Sequence, residues 1–410
     1  MTSVSEKPLH VGVFGLFGVG NSGNDGSLEA VLDHLRAARP DAVLDAMCGG
    51  PEIVATRYGI PATRLNWYRG EYRTASRVGA IAAKALGKLV DVVRTAAWVR
   101  RHDAVVVPGT GVLETTLPLR PWGFPYSLFL LCLTGRLLGT RVALVSVGAG
   151  PIGDRPTRVL TRWSTRLAAY RSYRDGQSRD AMRAMGVNTA RDEVYADLVF
   201  ALPAPSASEP ADTRGPVCVG IMDFHGSNDE RDRAEEIHRR YLDGTTRFVR
   251  ALVDEGRPVR LLTGDELDRP VAAAIVDAVG SPLVTVAEAA SLADLMKETA
   301  SADSVVATRY HNLVCALKVG TPTLALSYSA KSDVLMAEMG MGAYCHSARE
   351  ADADRLLEQF RELERRSAEV RQALFERNLV VARRVEQQFA ALAAALFPAA
   401  GPTHAPREAP

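Results

Sequence analysis

The residues best suited to chemistry lie in one stretch, SADSVVATRYHNLVCALKVGTPTLALSYSAK, residues 301–331. Arg309 and His311 stand two apart, and Lys331 follows the next apolar run. A guanidinium can clamp a phosphate or carboxylate through two parallel N–H bonds. An ammonium adds a point charge, and an imidazole moves protons near neutral pH. Two cations and one imidazole suit the binding and protonation of a small anion. Taken singly, each is more ordinary: a solvated arginine, a satisfied histidine, a loop lysine. What sets them apart is where the chain must place them. Residues 305–307 read as a buried parallel strand, 308–310 as a turn, 311–318 as a two-turn helix stopped by Gly320, and 323–327 as the next strand. Arg309 and His311 therefore stand at a strand's carboxyl end and a helix start. Open α/β sheets bind ligands at that edge, and helix starts favour anions. Asn312 is next in the same first turn and joins the set as an anion-binding candidate.

Other turns belong to the same pattern. Residues 11–15 form a first strand, residues 16–27 a glycine-rich loop (LFGVGNSGNDGS), and 28–36 a first helix. Residues 18–23 match GxGxxG, but Asn24, Asp25 and Gly26 lengthen the loop. Beyond Asp45, no acidic residue suggests a dinucleotide's ribose partner. We read the loop as a surface for an anionic or sugar ligand, with Asn21, Gly23, Asn24 and Asp25 as contacts; a tight turn that needs glycine is the competing reading. Strands at 104–107 and 142–147 end in Pro-Gly-Thr-Gly and Gly-Ala-Gly-Pro, which contribute Thr110 and Gly150. Arg174 precedes a helix at another sheet edge, with Asp197 beyond it. His225 follows a strand at 217–222 and reads more readily as an exposed loop residue.

Composition bounds the rest. The chain has 410 residues and net charge +1, so no general affinity for nucleic acid follows. Five scattered cysteines without CxxC imply a reducing compartment and no zinc site. The first ten residues lead straight into a strand, so no signal peptide is expected, and the apolar run 126–138 is too short and polar to span a bilayer. A cytoplasmic protein is expected. Residues 57–101 are basic with interleaved aromatics, which permits contact with the inner membrane face, although a solvated helical face accounts for them better. The domain plan is an α/β domain at 1–202, a proline-rich linker at 203–216, a second α/β domain at 217–349, a helical segment at 350–397 that returns across both, and a disordered tail at 398–410. Two Rossmann-like halves facing a cleft resemble the GT-B type.

The ordered set GVGNSGND, PGTG, VGAGP, Arg174 to Ser178, Asp197 to Phe200, Arg309-x-His311 and Ser327 to Lys331 resembles the polysaccharide pyruvyl transferase family. Two pieces depart from its pattern: the first loop lacks Gly-Asp-Glu close after the asparagine, and the middle turn is not a run of glycines. Both lie on the expected acceptor side. The resemblance implies phosphoenolpyruvate as co-substrate, no further cofactor, no metal, and a sugar or lipid-linked glycan acceptor that becomes a pyruvate ketal. Arg309, Arg174, Lys331 and Asn312 would then hold the donor, with His311 as the acid–base group. A nucleotide-sugar glycosyltransferase on the same fold is the alternative, with Glu338 as the residue that would hold a ribose. Nothing in the sequence indicates the oligomeric state.

Overall fold

Apolar runs without polar alternation build the strands, as expected for parallel sheets covered on both faces. A computed structural model describes residues 8–68, 77–114, 121–205, 215–226 and 228–397. The first sheet contains β1 (His10–Gly15), β2 (Val43–Cys48), β3 (Ala62–Arg64), β4 (Ala104–Pro108), β5 (Arg141–Val147), β6 (Tyr170–Tyr173) and β7 (Glu193–Val194). They lie side by side as β3-β2-β1-β4-β5-β6-β7. The second contains β8 (Val217–Gly220), β9 (Val259–Leu262), β10 (Val284–Val286), β11 (Ser304–Ala307), β12 (Thr323–Ser327) and β13 (Cys345–Ser347), in the order β10-β9-β8-β11-β12-β13. All these pairs are parallel. Strand order reverses between β1 and β4 and again between β8 and β11. Those are the two switch points where such sheets open a crevice.

Several boundaries differ from expectation. The first helix is Ser22–Ala38, so it opens inside the glycine motif rather than at residue 28. Asn21 caps it by accepting the Asn24 N–H at 3.1 Å, which turns the supposed loop residues Gly23, Asn24 and Asp25 into a first helical turn. The basic stretch holds a short strand, β3, between the helices Pro51–Tyr58 and Arg77–Val99. The helical tail is two helices, Ala353–Arg365 and Ser367–Leu396, broken at Arg366. The second crosses both halves. Its Gln388 accepts from Ser172 of β6, and its Asn378 donates to the Leu317 carbonyl. Much of the 203–216 linker and all of the 398–410 tail lie outside the described residues. Among the described residues, no helix is long and apolar enough to cross a membrane. Part of the basic stretch 57–101 is also outside them. Within it, Arg57, Arg64, Lys88 and Arg94 each pair with a carboxylate, and Trp98 is core.

Candidate active site

The unit around β11 forms as its sequence dictates. Arg309, with extended backbone, is the N-cap of the helix Tyr310–Lys318. Its guanidinium is held from one side by Asp268. Nε donates to Oδ2 at 2.9 Å and Nη2 to Oδ1 at 2.5 Å, leaving Nη1 without a protein hydrogen bond among the described residues. Asp268 is fully buried and also accepts the backbone N–H groups of Asp223, Gly264 and Asp265. Arg309 is thus fixed in place, with one face of its fork still available. Beside it, Asn312 is fully buried between Gly220 and Gly264, and neither its Oδ1 nor its Nδ2 has a hydrogen-bond partner. An unpaired buried amide is costly unless something else satisfies it.

His311 meets the other half of the molecule. A Cβ built on Gly23 would fall inside the imidazole ring, so the ring lies against the first turn of helix Ser22–Ala38. Nearby, Ser22 Oγ donates to the Gly264 carbonyl at 3.2 Å across the same cleft. Burial pushes His311 down to about 4; Asp197 pulls it up, while Arg174, Lys331 and Arg309 push it further down. This corrects the expectation of a group titrating near neutrality. An imidazole taken out of water beside three cations stays neutral at pH 7.

Arg174 and Lys331 converge on Tyr310, whose ring lies 4.8 Å from the Arg174 guanidinium and 5.7 Å from Lys331 Nζ. Arg174 is buried and heavily paired: Glu114 lies at 2.5 Å, Asp175 at 3.4 Å and Asp197 at 3.7 Å. Three carboxylates surround it, so the cation expected to bind the donor is already paired within the protein. Lys331 opens the helix Ala330–Glu338 and reaches Glu114 Oε2 at 3.4 Å, bridging the two halves. Glu338 borders the same small cavity as Arg174, Asp175 and Lys331.

The first-half turns are spent on the protein itself. Asn24 donates to the Leu16 carbonyl at 3.1 Å, and Asp25 accepts the Gly18 N–H at 2.8 Å. With Asn21 as cap, these three polar groups hold their own loop, which is the tight-turn reading of the motif. Thr110 accepts the Gly148 N–H at 2.8 Å, and Gly150 donates to the Leu113 carbonyl at 3.1 Å, so the two glycine-rich turns are zipped together. Gly148 has no side chain because the Arg174–Glu114 pair passes there: an added Cβ would lie 2.5 Å from both. Sequence reasoning missed Glu114, Asp268 and Tyr310. The first two announce themselves only through partners far away in the chain. Tyr310 lay between two chosen residues, and its neighbours alone could have drawn attention to it.

A second cluster lies across the β8–β11 switch point from Arg309. Asp223, His225 and His238 offer ligand atoms within 4.8 Å of one another. The five cysteines are all free.

Two parallel-sheet halves with their carboxyl edges facing define a GT-B-type fold. The solved structures similar to it share that architecture. UDP-GlcNAc 2-epimerase from Neisseria meningitidis, bound to UDP-GlcNAc, is 11% identical with TM-score 0.60, covering 93% of this chain and 99% of its own. S. aureus MnaA in complex with UDP is 11% identical with TM-score 0.61, covering 95% and 97%. The glycosyltransferase SnogD from Streptomyces nogalater is 17% identical with TM-score 0.55, covering 94% and 99%. No curated protein matches the sequence. The family is fixed by sequence: the polysaccharide pyruvyl transferase model matches residues 21–330, and the chain belongs to that family of enzymes.

Proposed function

We propose that the chain transfers a pyruvyl group from phosphoenolpyruvate to a sugar diol of a cell-surface glycan or its precursor, forming a ketal. The observation that carries this reading is His311, seated between the halves beside Arg309, whose Nη1 is left for an anion. Phosphoenolpyruvate brings a carboxylate and a phosphate. Arg309 takes one of them, Lys331 approaches the other, and the unpaired Asn312 amide hydrogen-bonds a donor oxygen. The chemistry then needs one mobile proton. The enol methylene carbon gains H⁺, a sugar hydroxyl adds to the neighbouring carbon and returns its proton to the carrier, and phosphate departs with the C–O bond electrons. The second hydroxyl closes the ketal, and its proton leaves with the phosphate. His311 is the proton carrier. The family match and the facing sheet edges support this reading.

Thermal unfolding with phosphoenolpyruvate tests it, on wild type, Lys331→Met and His311→Gln. Ligand at 100 times its Kd should stabilise the native state by about 2.7 kcal/mol. A shift in wild type that is cut in Lys331→Met and kept in His311→Gln is the expected pattern. A shift with a uridine diphosphate sugar and none with phosphoenolpyruvate would overturn the proposal in favour of glycosyl transfer, with Glu338 as the residue to substitute next.

A further inference from the structure

We propose that Asp223, His225 and His238 form a binding site for a divalent transition-metal ion of the zinc type, at the switch point of the second sheet. His225 Nε2 lies 2.9 Å from Asp223 Oδ1, and His238 Nδ1 lies 3.5 Å from the same oxygen. Ligands about 2.0–2.1 Å from a tetrahedral ion are separated from one another by about 3.3 Å, so the two spacings bracket the tetrahedral value. In the metal-free protein the imidazole rings stack in parallel, 4.2 Å between centroids and 6° between planes, so one ring turns about its side-chain torsions to bring both in-plane lone pairs onto one ion. Two imidazole nitrogens and a carboxylate make a ligand set of net charge −1, suited to a dication.

The scaffold is firm. Asp223 donates its backbone N–H to Asp268 at 3.0 Å, the residue that holds Arg309. The intervening Phe224 is buried against Tyr241. His238 stands in the first turns of the helix Ala234–Asp254. His238 Nδ1 also lies 3.3 Å from the Phe224 carbonyl oxygen, to which it donates in the metal-free protein. Metal binding replaces that proton. The three side chains keep 34%, 40% and 22% of their surface exposed, so an ion can enter. Three protein ligands leave a fourth position for water or an anionic oxygen, the pattern of open rather than structural sites.

The test uses the untagged full chain, stripped with chelator and then dialysed. Titration with Co²⁺ should give the intense visible absorption of a four-coordinate ion, saturating at one equivalent, and Zn²⁺ should bleach it. His225→Ala and His238→Ala should each weaken Zn²⁺ binding, measured calorimetrically, by more than the roughly 10–100-fold that loss of an outer-shell partner costs. Circular dichroism confirms that each variant is folded, and Asp223→Asn gives a near-isosteric third variant. Absence of stoichiometric binding, a weak six-coordinate Co²⁺ spectrum, or binding unchanged in folded His238→Ala would each overturn the proposal. None of these readouts involves phosphoenolpyruvate, so the metal site stands or falls separately from the transferase reading.

Discussion

Gly23→Ala isolates the contact that closes the cleft. Gly23 sits in the first turn of helix Ser22–Ala38 with ordinary helical backbone, so alanine there should stabilise by about 0.4–1 kcal/mol through the unfolded chain. Its methyl group would land in the His311 ring, and overpacking of this kind costs about 1–3 kcal/mol. The net effect in wild type is a loss of about 0–2.5 kcal/mol. In a His311→Ala background the obstacle is gone, and the same substitution should become stabilising by about 0.4–1 kcal/mol. The sign of the change therefore depends on a residue 288 positions away, and the coupling energy should be about 1–3 kcal/mol. Urea unfolding of the four proteins measures it. If Gly23→Ala has the same effect in both backgrounds to within about 0.5 kcal/mol, the ring does not rest on Gly23 and the cleft is not closed there.

Arg174→Met would leave Glu114, Asp175 and Asp197 clustered around the lost guanidinium, and should cost about 3–5 kcal/mol in urea unfolding. A loss below about 1 kcal/mol would show that the cluster is well hydrated. Asp268→Asn should weaken phosphoenolpyruvate binding in a calorimetric titration although Asp268 touches no ligand, because it releases Arg309 from its fixed pose. Unchanged affinity would remove Asp268 as a positioning residue. His311 has a folded pKa of about 4, below its value near 6.5 in the unfolded chain. The unfolded state therefore binds more protons between those values, and stability falls as pH drops from about 6.5 to 4. His311→Gln should abolish on the order of 2–3 kcal/mol of that acid sensitivity. Matching acid profiles for the two proteins would mean the imidazole is not desolvated.

The β11 unit was legible because three local signals agreed: an apolar run, a polar turn and a glycine stop. The first helix start was misplaced because Gly, Asn and Asp count as helix breakers, whereas at the N-cap and first turn they are favoured. There, Asn21 accepts the Asn24 N–H that a helix start leaves unpaired, while Asp25 reaches back to accept the Gly18 N–H of the preceding loop. Strands of two to four residues such as β3, β6 and β7 carry too little periodicity to read. Glu114 and Asp268 were invisible for another reason. Glu114 acquires its meaning from Arg174, 60 residues away, and from Lys331, 217 away. Asp268 acquires its meaning from Arg309, 41 away. Arg174 was found without its setting, since sequence shows a cation without showing the carboxylates paired with it.

The depressed pKa of His311 bears directly on how a proton could reach the donor. At pH 7 the free protein holds a neutral imidazole, which cannot protonate an enol carbon. The missing proton must be recruited by binding. One negative charge about 5 Å away, at an effective dielectric near 20, favours imidazolium by about 3.3 kcal/mol, or about 2.4 pKa units. A single anionic group would therefore lift His311 from about 4 to about 6.4, and a second at similar distance would carry it well past 7. Phosphoenolpyruvate carries both a phosphate and a carboxylate, so it would arm the acid that acts on it, while water reaching the site of the free protein would meet only a neutral ring. Titration of the His311 imidazole signal by NMR should give a pKa near 4 in the free protein and above 7 with phosphoenolpyruvate bound. A value that stays near 4 in the complex would remove His311 as the proton donor. Arg309 and Lys331 would then serve only to bind the anion.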